Sequence, residues 1–573
     1  MEARDGGPWL EPADDEREPV TDRTVLGSSA VMAAGTVFSR LSGYLRTILL
    51  AAALGNALHA DVFQIANTVP NMLYILLAGG VFNAVLVPQL VRAMKNDPDG
   101  GEAYTNRIVT LAALFLLAVT VLLVVAAPLV MRVFLDGSYY TADLAEQRES
   151  VIDFARYCLP QVFFYGMFVL VGQILNSRGS FGPMMWAPIA NNVIAIGVLV
   201  TYLFAFGPAR DICGGFTRNQ ELLLGIGSTI GIAAQLLILV PYLKKAGFTY
   251  RPRFDFRGTG LGHTFRLGMW TVAVVLVNQL AYTVVVRLAS SGTAQGASGG
   301  CGSGGGTEGT GYAVYSSAFL LVMAPHAIIT VSLATAILPR LSASANDRDL
   351  PALAGTLTST LRTALALVIP IAVVLPLVAV DLSRIVWGYG AASETFENFA
   401  PSLALFGAGL LFFTVHYLML RGFYALEQTR TVFFIQCVIG AVNIGLAVVL
   451  VGTTGAAFTS PALVLAYSGA YAVGAAVSFV VLRRRLGGLR VPELVRFLVR
   501  AGFAALLATA VSASVLWGLD ALLGERGKLE AALTLAVVGG VHLLVFVVAA
   551  SRMRVSEVTD LVEVVTRRLP IRR

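Results

Sequence analysis

The sequence predicts an all-α integral membrane protein with about fourteen transmembrane helices, built as two six-helix lobes related by a parallel repeat plus a C-terminal helix pair. Three observations predict this fold class. The 573 residues are 56% hydrophobic and only 13% charged. Apolar stretches of about 20 residues, the length that crosses a bilayer, recur along the chain. Parts of the first half are echoed in the second half.

The composition excludes a water-soluble domain. The mean hydropathy is +0.75, and a single core could not hide so much apolar surface from water. The solvent for most of the chain is therefore lipid. By length and hydropathy, spans are predicted near residues 27–53, 62–91, 107–132, 151–175, 184–206, 221–243, 266–290, 312–339, 353–379, 396–420, 431–452, 461–482, 496–518 and 530–550.

Lysine and arginine concentrate in alternate loops, such as those holding Lys244, Lys245 and Arg483, Arg484, Arg485. The positive-inside rule places these loops in the cytoplasm, so both termini are predicted to be cytoplasmic. Orientation therefore explains the net charge of +7 better than nucleic-acid binding, because the basic residues do not gather on one face.

The predicted organisation follows from the order of the spans. The acidic N-terminus lacks the cationic start of a secretory signal and is expected to be disordered in the cytoplasm. The Gly-rich stretch has no G-K-[ST] ending, so it is expected to be a flexible external loop rather than a phosphate-binding loop. The predicted segments are a tail at 1–24, lobes at 25–260 and 261–485, the external loop at 290–311, helices thirteen and fourteen at 486–551, and a basic cytoplasmic tail at 552–573.

An internal repeat relates the two lobes. Pro88 and Pro339 lie in similar segments 251 positions apart, and Asn192 and Asn443 share that separation. The offset covers six predicted helices, an even number, so both halves enter the membrane in the same direction. Such a parallel repeat is typical of transporters with a central cavity.

Ionisable residues within the predicted spans indicate where that cavity lies. Arg40 falls near the middle of the first span, and arginine cannot lose its charge there, so a water-filled cavity is the expected environment. Arg46 follows six residues later, where lining the cavity and snorkelling to the interface are both open. Asp61 could pair with Arg46, cap its own helix or bind a cation, and capping is the default expectation.

The sequence carries no Walker motif, no hydrolase elbow and no His or Cys pair at metal-binding spacing, so a transporter without a cofactor or bound metal is expected. A membrane potential or an ion gradient could drive it. A disulfide between Cys213 and Cys301 is left open.

The first two spans, AGTVFSRLSGYLRTILLAAALG and ADVFQIANTVPNMLYILLAGGVFNAVLVPQL, resemble the MurJ/MviN lipid II flippases of the multidrug/oligosaccharidyl-lipid/polysaccharide exporter superfamily. The resemblance continues through ILNSRGSFGPMMWAPIANN and RGFYALEQTRT. It implies alternating access in the bacterial inner membrane, with lipid II passing its anionic head group through a cationic cavity during peptidoglycan biosynthesis. By position, Arg40 and Arg46 match two cavity arginines of the family, and Asp61 matches its acidic residue on helix two.

This sequence also departs from the family pattern. Tyr74 and Ile75 stand where many relatives have an arginine, and Gly79 stands where they have an acidic residue. The residue after Arg46 is Thr47 and not an acidic residue. The charged pattern of helix eight becomes apolar over residues 318–323. The expected cavity is therefore less charged than is usual in the family.

The resulting hypothesis is that two arginines hold the pyrophosphate together with neutral hydrogen-bond donors. The predicted cavity residues are Arg40, Arg46, Asp61, Gln64, Asn67, Asn71 and Gln279. The expected partners are lipid II, membrane lipids and cell-wall synthesis or division proteins. Two alternatives stay open: export of another undecaprenyl-linked oligosaccharide or a drug-like cation, and a non-transporting membrane scaffold for cell-wall synthesis.

Overall fold

The computed structural model describes residues 22–76, 89–90, 93, 99, 101–209, 215–255, 261–298 and 309–568, with the backbone alone for 22–34, 36–37, 261–267, 298 and 564–568. The regular secondary structure of these residues is entirely helical. Within them, twelve helices are long and apolar enough to cross a membrane. The predicted all-α membrane fold is confirmed.

We number the longer helices in chain order and leave the eight-residue helix Ala127–Phe134 unnumbered. The first seven are α1 (Asp22–Leu54), α2 (Leu58–Ile75), α3 (Glu102–Val125), α4 (Ala142–Ser177), α5 (Gly182–Phe206), α6 (Arg218–Lys245) and α7 (Leu261–Ser298). The others are α8 (Tyr312–Asn346), α9 (Leu350–Trp387), α10 (Phe396–Ala425), α11 (Thr429–Thr453), α12 (Ala456–Arg485), α13 (Val491–Leu523), α14 (Lys528–Arg552) and α15 (Ser556–Arg568).

The twelve apolar helices are α3 to α14. Helices α1 and α2 occupy the first two predicted spans, and the total of fourteen stays a prediction.

Two helices are interrupted at prolines. Helix α4 begins with the short 3-10 turn Ala142–Leu144 and continues as Ala145–Cys158 and Gln161–Ser177, which are separated at Pro160. Helix α8 contains a π-helical turn, His326–Thr330, directly after Pro325. Proline has no amide hydrogen and clashes with the preceding turn, so the regular hydrogen-bond ladder breaks or widens at these positions.

The helices pair in the same pattern twice. Helix α1 packs on α5 and α5 on α6, and six helices later α7 packs on α11 and α11 on α12. Likewise α3 packs on α4 and α4 on α6, while α9 packs on α10 and α10 on α12. This recurrence agrees with the parallel repeat deduced from the sequence. We call α1–α6 the N-terminal lobe and α7–α12 the C-terminal lobe, and their predicted boundaries at 25–260 and 261–485 stay predictions.

The terminal pair, α13 and α14, packs against itself and against α9 of the C-terminal lobe. The predicted basic tail at 552–573 contains a further helix, α15, which contacts both α9 and α14. Val558 of α15 is buried, and Leu561 follows three residues later on the same face. The helix is therefore held by an apolar stripe.

The predicted flexible loop at 290–311 is wrong for its first part. Helix α7 continues to Ser298, and Thr310 donates its amide to the carbonyl of Ala456 at 3.0 Å. The small residues serve close packing here, since a Cβ on Gly292 would overlap the carbonyl of Thr310. Residues 299–308 lie outside the described part of the chain.

Several other predictions also fall outside the described residues. They are the acidic tail over 1–21, Gly79, Pro88 and both members of the Cys213 and Cys301 pair. Helix α1 already begins at Asp22, within the segment predicted as a disordered tail.

Candidate substrate cavity

A cavity of about 600 Å³ lies between the two lobes. Helices α1, α2 and α5 form its wall on one side, and α7, α8, α10, α11 and α12 form it on the other. The repeat therefore places equivalent helices around one central space, as the sequence predicted.

Arg46 is the one charged side chain among the described residues that line this cavity. It is partly buried on α1, and no described carboxylate pairs with it. A guanidinium keeps its charge at any physiological pH, so the cavity carries a permanent, uncompensated positive charge. Such a site favours an anionic group.

Neutral amides line the same cavity as Arg46. Asn67 accepts a hydrogen bond from Gln161 at 2.9 Å through its side-chain oxygen, which leaves its amide hydrogens for the cavity. Gln64 similarly accepts from Ser316 at 3.1 Å, and Asn71 is exposed within the cavity. Gln279 also lines the cavity and donates to the carbonyl of Met72 at 3.0 Å.

The repeat-related asparagines both line the cavity, one from each lobe. Asn192 donates to the Ser39 carbonyl and the Ser42 hydroxyl, both at 2.9 Å, and thereby ties α5 to α1. The side-chain oxygen of Asn443 is buried without a hydrogen-bond partner. The two repeat-related asparagines therefore differ in their hydrogen bonds, and the two lobes present different polar groups to the cavity.

The C-terminal lobe contributes an aromatic wall that sequence reasoning missed. The rings of Tyr467 and Tyr471 lie 4.6 Å apart, and Phe413 contacts Tyr471 at 4.9 Å. The hydroxyls of Tyr282 and Tyr312 are 2.8 Å apart. Single tyrosines in apolar helices look like core residues, although the four-residue spacing of Tyr467 and Tyr471 indicated a shared face.

The lobes are joined at one end, which we call the sealed end. Asp61 is fully buried there and accepts hydrogen bonds from the Ala313 amide at 2.6 Å, the Tyr312 amide at 3.0 Å and the Thr293 hydroxyl at 2.7 Å. The default expectation that Asp61 caps its own helix is wrong. The carboxylate instead caps α8 of the opposite lobe, where the free amides and the helix dipole stabilise a negative charge.

Further bonds close the same end. The Asn56 side chain donates to the Thr395 carbonyl at 2.7 Å, and the Thr395 hydroxyl donates back to the Asn56 side-chain oxygen at 2.9 Å. Arg287 donates to the Arg132 carbonyl at 2.8 Å. These contacts join a loop or helix of one lobe to a loop or helix of the other.

The bonds between lobes continue down one face of α2. Thr68 donates to the Tyr312 hydroxyl at 2.8 Å, and the last such bond is the one that Gln279 makes to Met72. The cavity is therefore shut at the sealed end.

Arg40 does not line this cavity. It is exposed on α1, six residues before Arg46 and thus about 9 Å further from the sealed end. Of the predicted site residues, the structure therefore brings together Arg46, Gln64, Asn67, Asn71 and Gln279, while Arg40 and Asp61 lie elsewhere. No group of three or more His, Cys, Asp or Glu able to hold a metal occurs in the described residues.

The model of the lipid II flippase MurJ family matches residues 50–536. The chain belongs to this family. A probable lipid II flippase MurJ of Thermotoga maritima is 26% identical over 453 residues, covering 79% of this chain and 83% of the relative. A lipid II flippase MurJ of Burkholderia cenocepacia is 26% identical over 403 residues, covering 69% and 72%.

Solved structures show the same fold as this MurJ family member. A lipid II flippase MurJ in an inward closed conformation superposes with a TM-score of 0.69 at 18% identity, covering 93% of this chain and all of the other. An inward-facing multidrug resistance MATE family transporter gives a TM-score of 0.61 at 15% identity, covering 81% and 99%.

Proposed function

We propose that the protein moves lipid II from the inner to the outer leaflet of the bacterial inner membrane by alternating access. The observation that carries this proposal is a cavity between two repeated lobes, shut at one end, with the unpaired Arg46 in its wall. An anionic head group would supply the negative charge that pairs with Arg46. Membership of the MurJ family names the anion, the pyrophosphate of lipid II.

Arg46 is the group we assign to the pyrophosphate, because a guanidinium donates two parallel hydrogen bonds to phosphate oxygens. Gln64, Asn67 and Asn71 on the same side of the cavity and Gln279 on the opposite side supply neutral donors. Arg40, about 9 Å away along α1, would meet the head group before it reaches the cavity.

For Asp61 we propose a gating role in place of substrate contact. Its carboxylate joins α2 to α7 and α8 across the lobes, and it has to release three donors before the sealed end can open. The three bonds favour the shut state and are exchanged for water when the lobes part. The head group would leave through this end.

The orientation is also part of the proposal. The loops richest in lysine and arginine lie away from the sealed end, so the positive-inside rule places the sealed end outside and both termini in the cytoplasm. The terminal pair α13 and α14 would accompany the lipid tail, which stays in the membrane while the head group crosses.

The test is depletion of the protein in a wall-forming bacterium, followed by measurement of the leaflet that holds labelled lipid II. We expect lipid II to accumulate facing the cytoplasm, with rescue by the unaltered chain and no rescue by Arg46→Gln. Arg218→Gln, which removes an exposed positive charge elsewhere, is the matched control and should rescue.

Two outcomes would reject the proposal. An unchanged distribution of lipid II between the leaflets, together with mislocalised wall-synthesis proteins, would support the role of a non-transporting membrane scaffold. Accumulation of a different undecaprenyl-linked glycan, with lipid II unaffected, would assign another substrate to the cavity.

A further inference from the structure

A second cavity, of about 350 Å³, lies where α9, α13 and α15 meet, remote from the cavity between the lobes. Its walls carry four arginines and two glutamates, an excess of positive charge: Arg362, Arg496, Arg500, Arg554, Glu493 and Glu557. We call it the basic pocket. The proposed flipping of lipid II gives it no role.

One arginine pairs with both acids of the pocket. Arg362 of α9 contacts Glu493 of α13 at 3.2 Å, and it also forms an ion pair with Glu557 of α15. The same guanidinium lies 5.9 Å from the centre of the Phe497 ring. These contacts fix the three helices around the pocket, and they leave the other three arginines without an acid.

Arg496, Arg500 and Arg554 have no carboxylate within 4.0 Å in the described part of the chain. Arg500 donates to the backbone carbonyl of Arg554 at 3.2 Å, which brings α13 to the link between α14 and α15. Arg496 and Arg500 are one helical turn apart and so share a face. Three guanidiniums around one space repel each other unless an anion lies between them.

The backbone at Arg554 determines one of the variants that test the pocket. Its φ is +59°, a left-handed conformation that side chains other than glycine rarely adopt and that glycine adopts without strain. The link between α14 and α15 thus carries an arginine where glycine would be more stable. Arg348 and Glu427 adopt the same conformation directly after other helices, so it marks a helix end and leaves the position open to a glycine substitution.

The surroundings of the pocket indicate what kind of anion it takes. Val495, Leu498 and Val499 of α13 are 51%, 42% and 54% exposed and alternate with the two arginines. Further along α13, Phe503 and Leu506 are 63% and 69% exposed. A phosphate held by the arginines would therefore have an apolar helix face beside it for acyl chains.

We propose that the basic pocket binds the phosphodiester head group of an anionic phospholipid, with its acyl chains along the exposed face of α13. Basic pockets between transmembrane helices bind such head groups, and amphipathic helices like α15 lie at the same depth. A bound lipid would lower the excess positive charge of the basic pocket and help to hold the terminal pair to α9.

The experiment uses the purified full-length protein in a neutral detergent, with the midpoint of thermal unfolding as the readout. It is titrated with phosphatidylglycerol, phosphatidylcholine and inorganic phosphate in separate series. Phosphatidylglycerol is expected to raise the midpoint in a saturable manner, and phosphatidylcholine is not. For Arg496→Gln with Arg500→Gln, the half-saturating concentration should rise by about tenfold or more, because charge-assisted hydrogen bonds are lost.

Two further variants make the result decisive. Arg484→Gln with Arg485→Gln removes the same charge from exposed positions at the end of α12 and should leave the titration unchanged. Arg554→Gly relieves the left-handed backbone, so it should fold at least as well as the unaltered chain and still bind phosphatidylglycerol more weakly.

The proposal fails if the pocket variants bind phosphatidylglycerol as the unaltered protein does, or if the α12 control weakens binding equally. An equal shift with inorganic phosphate at the same concentration would overturn the lipid assignment and leave a free-phosphate site. None of these outcomes depends on lipid II transport, so the two proposals stand or fall separately.

Discussion

At the scale of single residues, the account depends on the charge of Arg46. A charge that faces lipid costs several kcal/mol, and a charge in a wet cavity does not. Arg46 lines the cavity and Arg40 does not, although counting residues along the first predicted span favoured Arg40. Counting residues along a span predicts how deep a residue lies in the membrane. Which way its side chain points depends on how the helices pack, and that cannot be counted from the sequence.

Arg46→Gln is expected to weaken lipid II binding by about tenfold or more, because the charge-assisted bonds to the pyrophosphate are lost while the amides remain. Binding of labelled lipid II to the purified protein measures this. Arg40→Gln serves as the comparison and should have a smaller effect, since its side chain lies outside the cavity. A larger loss for Arg40→Gln would contradict the assignment.

Asp61→Asn is expected to weaken the sealed end by about 1–2 kcal/mol, because an uncharged amide is a poorer cap for α8 and cannot accept all three hydrogen bonds. Spin labels on the exposed residues Thr141 and Glu394, one in each lobe, would report the change as a longer distance. Thr293→Val removes one of the three hydrogen bonds, so a smaller share of the molecules should show the longer distance between the labels. An unchanged distance distribution in Asp61→Asn would exclude the gating role.

At the scale of helices, an ion-pair cluster fixes the terminal pair to the C-terminal lobe. Arg526, in the link between α13 and α14, pairs with Asp381 of α9 and with Asp520 of α13. Asp381 is 5% exposed, and Arg384 lies over the Phe396 ring at 4.6 Å beside it. The pair α13 and α14 is thus attached to α9 at one end by this cluster and at the other by Arg362.

Arg526→Gln is expected to destabilise the folded protein by about 3–5 kcal/mol, because it leaves Asp381 buried without its partner. Thermal unfolding in a single detergent measures the loss as a lower midpoint. Asp520→Asn is the control, since Asp520 is 54% exposed and its ion pair should contribute less than about 1 kcal/mol. Equal midpoints for the two variants would show that Asp381 is not held by Arg526.

The presence of the membrane helices could be predicted from hydropathy, but the residues at which they end could not be predicted in this way. The span predicted at 266–290 extends to Ser298 because Thr293 and Gly292 pack against neighbouring helices. A stretch rich in glycine and serine looks flexible in isolation. Here its small side chains allow two lobes to approach closely, and that depends on contacts from elsewhere in the chain.

At the scale of the whole molecule, the repeat was the most informative signal in the sequence. Asn192 and Asn443 both line the central cavity, and the helices around them pair in the same order in both lobes. The aromatic wall and the link from Asp61 to α8 were not predictable. Both arise from residues far apart in sequence, such as Asp61 and Ala313, that only the packed lobes bring together.

Alternating access requires the sealed end to open, and a crosslink across it tests this most directly. A Cβ on Gly55 would lie 3.7 Å from that of Ala391 in the opposite lobe, the separation that a disulfide spans. The crosslinked form is Gly55→Cys with Ala391→Cys, in a chain without its four native cysteines. Gly55→Cys alone controls for the left-handed backbone at this position, where φ is +78°.

Movement of labelled lipid II across vesicle membranes is the measurement that decides the account. The oxidised double variant is expected to lose transport and to regain it when the disulfide is reduced, while the single variant transports in both conditions. Transport at the same rate with the disulfide closed would show that the sealed end does not need to open, and would contradict the account.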